Sequence, residues 1–203
     1  MKKRFLSLVL VLVLLCSFAI TSFAFSDVAS NHWAKEFIDL ASAAKIVNGY
    51  GDGTFNPEKQ LTAGEFIKMV ACVMDRNYVA VSNPGEHWAY QYVKVLKNNL
   101  EGFDDSIYNE AWELDKVITR GEMSIVLAQA YSTKYGIKIR YDLGDGVLYV
   151  FKDLKNIPEE QKPYINLCVI YGMLNGYTDG EFKPQDALTR AQACKVICKL
   201  LYR

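Results

Sequence analysis

Apolar residues recur along this chain at the i, i+3 and i+4 spacing of amphipathic helices, in three pairs of short stretches. The residues that mark the six stripes are, in chain order, Phe37, Ile38 and Ala41; Phe66, Val70 and Val73; Tyr92, Val93 and Leu96; Met123, Val126 and Leu127; Tyr164, Ile165 and Leu167; and Val196, Ile197 and Leu200. Within each pair, the stripes are separated by a segment rich in Gly, Asp and Asn, which favour turns and end helices. The pattern predicts a mainly α fold of three helix–loop–helix units.

The loops of these units are copies of one sequence. Residues 49–57 read GYGDGTFNP, residues 176–184 read GYTDGEFKP, and residues 102–110 carry an altered copy, GFDDSIYNE. A short signature containing threonine follows each loop: LTAGE at 61–65, ITRGE at 118–122 and LTRAQ at 188–192. A repeat at this spacing predicts stacked or ring-packed copies of one small supersecondary unit.

The repeats divide the chain into units at 25–78, 79–135 and 151–203. Between the second and third units, Tyr, Ile and Val residues flank Gly144-Asp145-Gly146, which predicts a small β-hairpin at 136–150. No linker rich in proline or serine is present, so the repeats account for essentially all of 25–203.

Residues 1–24 have the features of a secretory signal peptide. Three basic residues precede an apolar run over 6–15, and Ser22-Phe23-Ala24 is a small-x-small cleavage site. An uncleaved membrane anchor is the alternative, but the apolar run is shorter than the roughly 20 residues that a spanning helix needs. We therefore expect a secreted chain with no membrane span after cleavage.

The charge balance excludes some classes of partner. The chain has 23 basic and 23 acidic residues, and removing the three basic residues of the signal leaves 20 and 23, a net charge of −3. This mildly acidic balance argues against nucleic-acid binding and against a polybasic contact with anionic lipid. An anionic ligand would have to be held by local geometry.

The cysteines beyond the signal peptide all lie within apolar helical patterns, at Cys72, Cys168, Cys194 and Cys198. An even number in a secreted chain permits disulfides. However, the last two lie four residues apart on one helix face, which is a poor geometry for a bridge. With two histidines and no CxxC pair, zinc is disfavoured. We predict buried free thiols and no metal or cofactor.

The threonine signatures all fit a capping box at a helix N-terminus. Arg120 and Arg190 then occupy the first helical position, where the helix dipole slightly disfavours a cation. Two explanations stay open. A guanidinium beside free N-terminal amides makes an anion site, or each arginine pairs with an acid of another unit, such as Asp27 or Asp153.

Tryptophans open the first helices of two units. Trp33 and Trp88 each follow a histidine, and an exposed indole beside carboxylates can stack on a sugar ring. The alternative is that both indoles pack between units. Asp27 and Asp153 precede units one and three at equivalent places and fit a cap or turn role. No calcium loop or nucleophile–base pair is indicated.

Taken in order, F-x-D, W, G-Y-x-D-G-x-F-x-P and I/L-T-R-A/G-E closely resemble the S-layer homology (SLH) domain family over nearly all of 25–203. The resemblance implies three units in a pseudo-threefold, three-pronged assembly of helices. It also implies non-covalent attachment to secondary cell-wall polysaccharide, often bearing ketal-linked pyruvate, in grooves between adjacent units. By position, it implies ligand-binding roles for Arg120, Arg190, Trp33, Trp88, Asp27, Asp153, Gly49 and Gly176.

The chain departs from the family pattern in each unit. Ala63 replaces the expected arginine in unit one, Gln192 replaces glutamate in unit three, and unit two lacks both F-x-D and the intact glycine loop. At most two grooves are expected to bind. We predict a non-catalytic anchoring module at the bacterial cell wall that binds an acidic polysaccharide. The alternatives are a surface scaffold that contacts other surface proteins and, with less support, a small wall-active hydrolase.

Overall fold

The computed structural model describes residues 25–81, 83–104, 108, 110–142 and 146–202. The predicted signal peptide, 1–24, lies outside this part. The α-helices within it are α1 (Lys35–Ala43), α2 (Ala63–Met74), α3 (Tyr90–Asn99), α4 (Ala111–Asp115), α5 (Arg120–Tyr135), α6 (Lys162–Ile170) and α7 (Arg190–Leu201). In these described ranges, no helix has the length and apolar character needed to cross a bilayer.

The second helix of each unit begins with the same device. The hydroxyl of the N-cap threonine accepts a hydrogen bond from the amide three residues on, and the side chain of that residue accepts one from the threonine amide. The pairs are Thr62–Glu65, Thr119–Glu122 and Thr189–Gln192. The predicted capping boxes are confirmed, and each N-cap typically contributes about 1 kcal/mol.

The three helix starts meet at the centre of the molecule in a closed ring of main-chain hydrogen bonds. The amide of Leu61 donates to the carbonyl of Leu188 (2.8 Å), Leu188 donates to Ile118 (3.2 Å), and Ile118 donates to Leu61 (3.0 Å). All three side chains are buried. The ring relates the units by a pseudo-threefold axis and satisfies backbone groups that would otherwise be buried without partners.

Each prong of the molecule combines helices from two units. Helix α3 packs on α2, α6 packs on α5, and α1 packs on α7, so the second helix of one unit supports the first helix of the next. The pairing of α1 with α7 closes the circle between the two ends of the described chain. Helices α2, α5 and α7 also contact one another around the axis. The predicted mainly α, three-pronged assembly is confirmed.

The segment between units two and three is not the predicted hairpin in its described part. Residues 146–150 form a 3₁₀ helix, and 136–142 form no strand; residues 143–145 lie outside the described chain. The side chain of Asn166 on α6 accepts the amide of Val147 at 3.1 Å, and Leu148 is fully buried. Tertiary packing against α6 therefore overrides the β-propensity of this sequence.

The cysteines in the described chain are free thiols, as predicted. Cys168, Cys194 and Cys198 are buried, and Cys72 is partly buried. Burial raises the pKa of all four thiols above the usual value. They act as small apolar side chains in the helical core, with little reactive thiolate.

The first glycine of each intact loop makes room for an aromatic ring. A Cβ on Gly49 would overlap the ring of Phe25 and lie 2.8 Å from the carbonyl oxygen of Thr54. Gly176 has the same relation to Phe151 in unit three. The phenylalanine of F-x-D thus packs directly over the loop backbone, and only glycine permits this approach.

We expect Gly49→Ala to lower the free energy of unfolding by about 1–3 kcal/mol, because the added methyl group displaces the Phe25 ring. Urea denaturation followed by circular dichroism measures the change. Gly51→Ala is the matched control two residues away, since a Cβ there meets no atom within 4 Å. Equal losses in the two variants would contradict this account of the loop.

Candidate functional site: two inter-unit grooves

Arg190, the first residue of α7, reaches across to the loop of unit one. Its Nε donates to the carbonyl of Phe55 (2.9 Å), and its Nη2 donates to the carbonyl of Asn48 (3.0 Å). The guanidinium also lies over the rings of Tyr50 and Phe55, at 5.1 and 4.5 Å from their centroids. The arginine therefore joins unit three to unit one through directed and cation–π contacts.

Arg120, the first residue of α5, makes the same contacts one unit further along. Its Nε donates to Phe182 (3.0 Å) and its Nη2 to Asn175 (2.9 Å), with the guanidinium 4.8 Å from the ring centroid of Tyr177. Arg120 is only 6% exposed, and burial lowers the pKa of its guanidinium, which nevertheless stays charged. In both arginines, Nη1 has no hydrogen-bond partner among the described residues and can donate to a ligand.

The prediction that free helix N-terminal amides bind an anion is wrong. The amides of Arg120 and Gly121 donate to the carbonyls of Asp186 (2.9 Å) and Pro184 (2.8 Å). Those of Arg190 and Ala191 donate likewise to Lys59 and Pro57, and the third amide of each helix bonds the N-cap threonine. Closing the ring of units uses these donors, so an anion must be held by side chains.

The alternative, in which each arginine pairs with Asp27 or Asp153, is also wrong, because both carboxylates bind main-chain amides instead. The carboxylate of Asp153 accepts the amides of Phe182 and Lys183, each at 2.8 Å. Asp27 does the same for Phe55 (2.7 Å) and Asn56 (2.6 Å). Each aspartate thus binds the N–H and each arginine the C=O of one loop phenylalanine. The aspartates hold the loop backbone in place. We expected them to line the grooves, but neither is a lining residue.

The tryptophans are exposed, which removes the alternative that both pack between units. Trp33 is 52% exposed and Trp88 is 45% exposed. The histidine before each one accepts the amide at the helix start, His32 from Ala34 (3.1 Å) and His87 from Ala89 (3.2 Å). Ring centroids of neighbouring His and Trp lie 5.5–5.8 Å apart. The histidines therefore start the helices and orient the indoles.

These residues surround two equivalent grooves. The Arg120 groove, about 270 Å³, is formed by the loop and last helix of unit three, Arg120 of unit two and Trp33 of unit one. The Arg190 groove, about 250 Å³, is formed by the loop and second helix of unit one, Arg190 of unit three and Trp88 of unit two. Gly176 and Gly49 are among the lining residues. All three units contribute to each groove.

The third equivalent position lacks both of the side chains that distinguish the other two. Ala63 occupies the arginine position, and Glu160 stands where units one and two have tryptophan. The hollows there are lined instead by Glu113 and Glu122 on one side and by Glu160 on the other. Residues 105–107 and 109 of its loop lie outside the described chain. No repeat motif in the sequence signals that unit three lacks this tryptophan. The helix starts show it, because Trp33, Trp88 and Glu160 each stand two residues before the first helix of their unit.

Two of the three units match a known family. A family model for the S-layer homology domain matches residues 24–67 and 150–194, which include the first helix, the loop and the threonine signature of units one and three. Units one and three are therefore S-layer homology (SLH) domains. The middle unit is not matched. Its loop is altered, and the neighbouring units present Ala63 and Glu160 to it where the other loops meet an arginine and a tryptophan. The SLH signature is therefore strongest where the grooves are complete.

Relatives of this chain include an anchoring protein, an S-layer protein and an endoglucanase. A cellulosome-anchoring protein from Acetivibrio thermocellus is 28% identical over 79% of this chain and 36% of that protein. An S-layer protein from Bacillus thuringiensis subsp. finitimus is 25% identical over 87% of the chain, and an endoglucanase from Bacillus sp. is 24% identical over 99%. The chain spans 22% and 21% of the endoglucanase and S-layer protein, respectively. The SLH region is a binding and anchoring domain, which supports a general role in attachment at the cell surface.

We expect Asp153→Asn to lower the free energy of unfolding of this SLH chain by about 1–3 kcal/mol. An amide replaces the buried carboxylate that accepts two main-chain N–H bonds, so one donor then faces another donor. Asp27→Asn makes the same change at the exposed equivalent and should cost less. Thermal unfolding measures both. An unchanged midpoint for Asp153→Asn would show that the aspartate does not hold the loop.

Proposed function

We propose that this chain anchors protein to the bacterial cell wall by binding an acidic secondary cell-wall polysaccharide in the Arg120 and Arg190 grooves. The observation that supports this most directly is the recurrence of one constellation in two places. Each groove combines an arginine whose Nη1 has no partner among the described residues, an exposed tryptophan and a loop glycine, drawn from three different units. The fold does not require these side chains, because Ala63 and Glu160 stand in their places at the third position.

The chemistry of each groove suits a sugar that carries a carboxylate, such as a ketal-linked pyruvate. Two donors of the guanidinium are fixed on loop carbonyls, which holds Nη1 in one position before any ligand arrives. A preorganised donor loses little side-chain entropy on binding. The indole offers an apolar face to a sugar ring.

The tryptophans give the sharpest test, because the arginines also hold the units together. We expect Trp33→Ala and Trp88→Ala each to weaken binding at one groove about three- to tenfold, from lost stacking. The double variant should remain largely in the supernatant when the purified protein is sedimented with native sacculi. Trp112→Ala is the matched control, since Trp112 is 63% exposed and lines neither groove.

Two further arms identify the ligand. Sacculi stripped of secondary polysaccharide should no longer sediment the wild-type protein. A monosaccharide bearing a ketal-linked pyruvate should compete with native sacculi, whereas the same sugar without pyruvate should not. Wild-type protein that stays in the supernatant with native sacculi would overturn the anchoring proposal and leave the alternative of contacts to other surface proteins.

A further inference from the structure

The two complete grooves differ in charge at matched positions. Both contain an arginine and a lysine one helical turn into the flanking helix, Lys195 in the Arg120 groove and Lys68 in the Arg190 groove. The Arg120 groove adds Lys199 where α2 has Cys72. It also has Gln192 where the other groove has Glu65.

The two lysines of the Arg120 groove have no carboxylate beside them in the described groove lining. None of the described residues that line this groove is acidic, and neither Lys195 nor Lys199 forms an ion pair within the described chain. The ammonium group of Lys195 lies 6.0 Å from the centroid of the Trp33 ring. Burial, and then the charge of Lys195, lower the pKa of Lys199. Nearby cations without an acid are stabilised when an anion binds.

The Arg190 groove is partly neutralised from within. Glu65 lies in its wall and forms an ion pair with Lys59 at 3.4 Å. Lys59 itself is not part of the lining, and Asp186 occupies its place in unit three, near Arg120 but also outside the lining. Among the lining residues, the Arg120 groove therefore has three cations, and the Arg190 groove has two cations and one carboxylate.

Resting on the proposed function, we propose that the Arg120 groove is the preferred site for the acidic sugar, with Lys195 and Lys199 as additional contacts and residue 192 as the specificity determinant. The glutamine that departs from the family pattern in unit three then favours anion binding. It removes a negative charge from the groove wall while keeping the capping box, because its amide oxygen still accepts the Thr189 amide at 3.1 Å.

Each groove has its own spectroscopic reporter. The chain contains three tryptophans, and Trp33 lies in the Arg120 groove, Trp88 in the Arg190 groove and Trp112 in neither. Indole N–H resonances of the ¹⁵N-labelled protein, titrated with a monosaccharide bearing ketal-linked pyruvate, therefore yield separate dissociation constants. We expect the constant from Trp33 to be about fivefold lower than that from Trp88, with Trp112 unaffected.

Reciprocal exchanges at the capping position test the cause. Gln192→Glu should weaken binding at Trp33 about three- to tenfold, and Glu65→Gln should strengthen binding at Trp88 by a similar factor. Both residue types complete a capping box in this chain, so the thermal midpoints should stay close to wild type. Glu122→Gln is the control exchange, at the position with neither arginine nor tryptophan, and should alter neither constant.

The outcomes separate the two proposals. If neither the Trp33 nor the Trp88 resonance shifts with the pyruvylated sugar, the proposed recognition of that ligand fails. If both shift but Trp88 saturates at equal or lower concentration, or the exchanges leave the constants unchanged, the function stands and the preference for the Arg120 groove is wrong. Both proposals are supported if the wild-type protein binds more tightly at Trp33, Gln192→Glu weakens that binding and Glu65→Gln strengthens binding at Trp88.

Discussion

The closed ring of main-chain hydrogen bonds among Leu61, Leu188 and Ile118 is the constraint on which the rest of the molecule depends. Each bond joins the start of one unit's second helix to that of another, so the ring closes only when all three units are present. The ring places three helix N-termini around one axis. It thereby directs the residue after each N-cap threonine, Ala63, Arg120 or Arg190, at the loop of a neighbouring unit.

Folding and the proposed binding share residues as a consequence. Nε and Nη2 of each arginine close the interface between units, and the same residue lines a groove. The aspartate of F-x-D supports the other side of the same loop phenylalanine. The loop is thus held from both sides before a ligand arrives, which makes the groove rigid. Any change to these residues alters stability as well as affinity, whereas the exposed indoles are free of that double role.

Divergence among the three positions follows what the scaffold tolerates. The amide of Ala63 still donates a hydrogen bond to the carbonyl of Lys116 (2.9 Å), so the main-chain contacts are kept without an arginine side chain. Gln192 keeps the capping box of α7 while removing a charge. The main-chain ring and caps are the same at all three positions, whereas the side chains that project from them differ, as at Ala63 and Glu160.

The sequence by itself determined the helices, the caps and the repeat, because these depend on contacts within a few residues: a stripe such as Phe66, Val70 and Val73, or a threonine three residues before Glu or Gln. It also identified the arginines and tryptophans as unusual. Only the tertiary structure decided what they contact. Whether the N-terminal amides were free, whether an aspartate faced an arginine and whether an indole was exposed all depend on contacts between distant parts of the sequence. Arg120 and Phe182 are 62 positions apart, and Arg190 and Phe55 are 135 positions apart. The 3₁₀ helix at 146–150 was missed for the same reason, since packing on α6 outweighs the local preference of its residues.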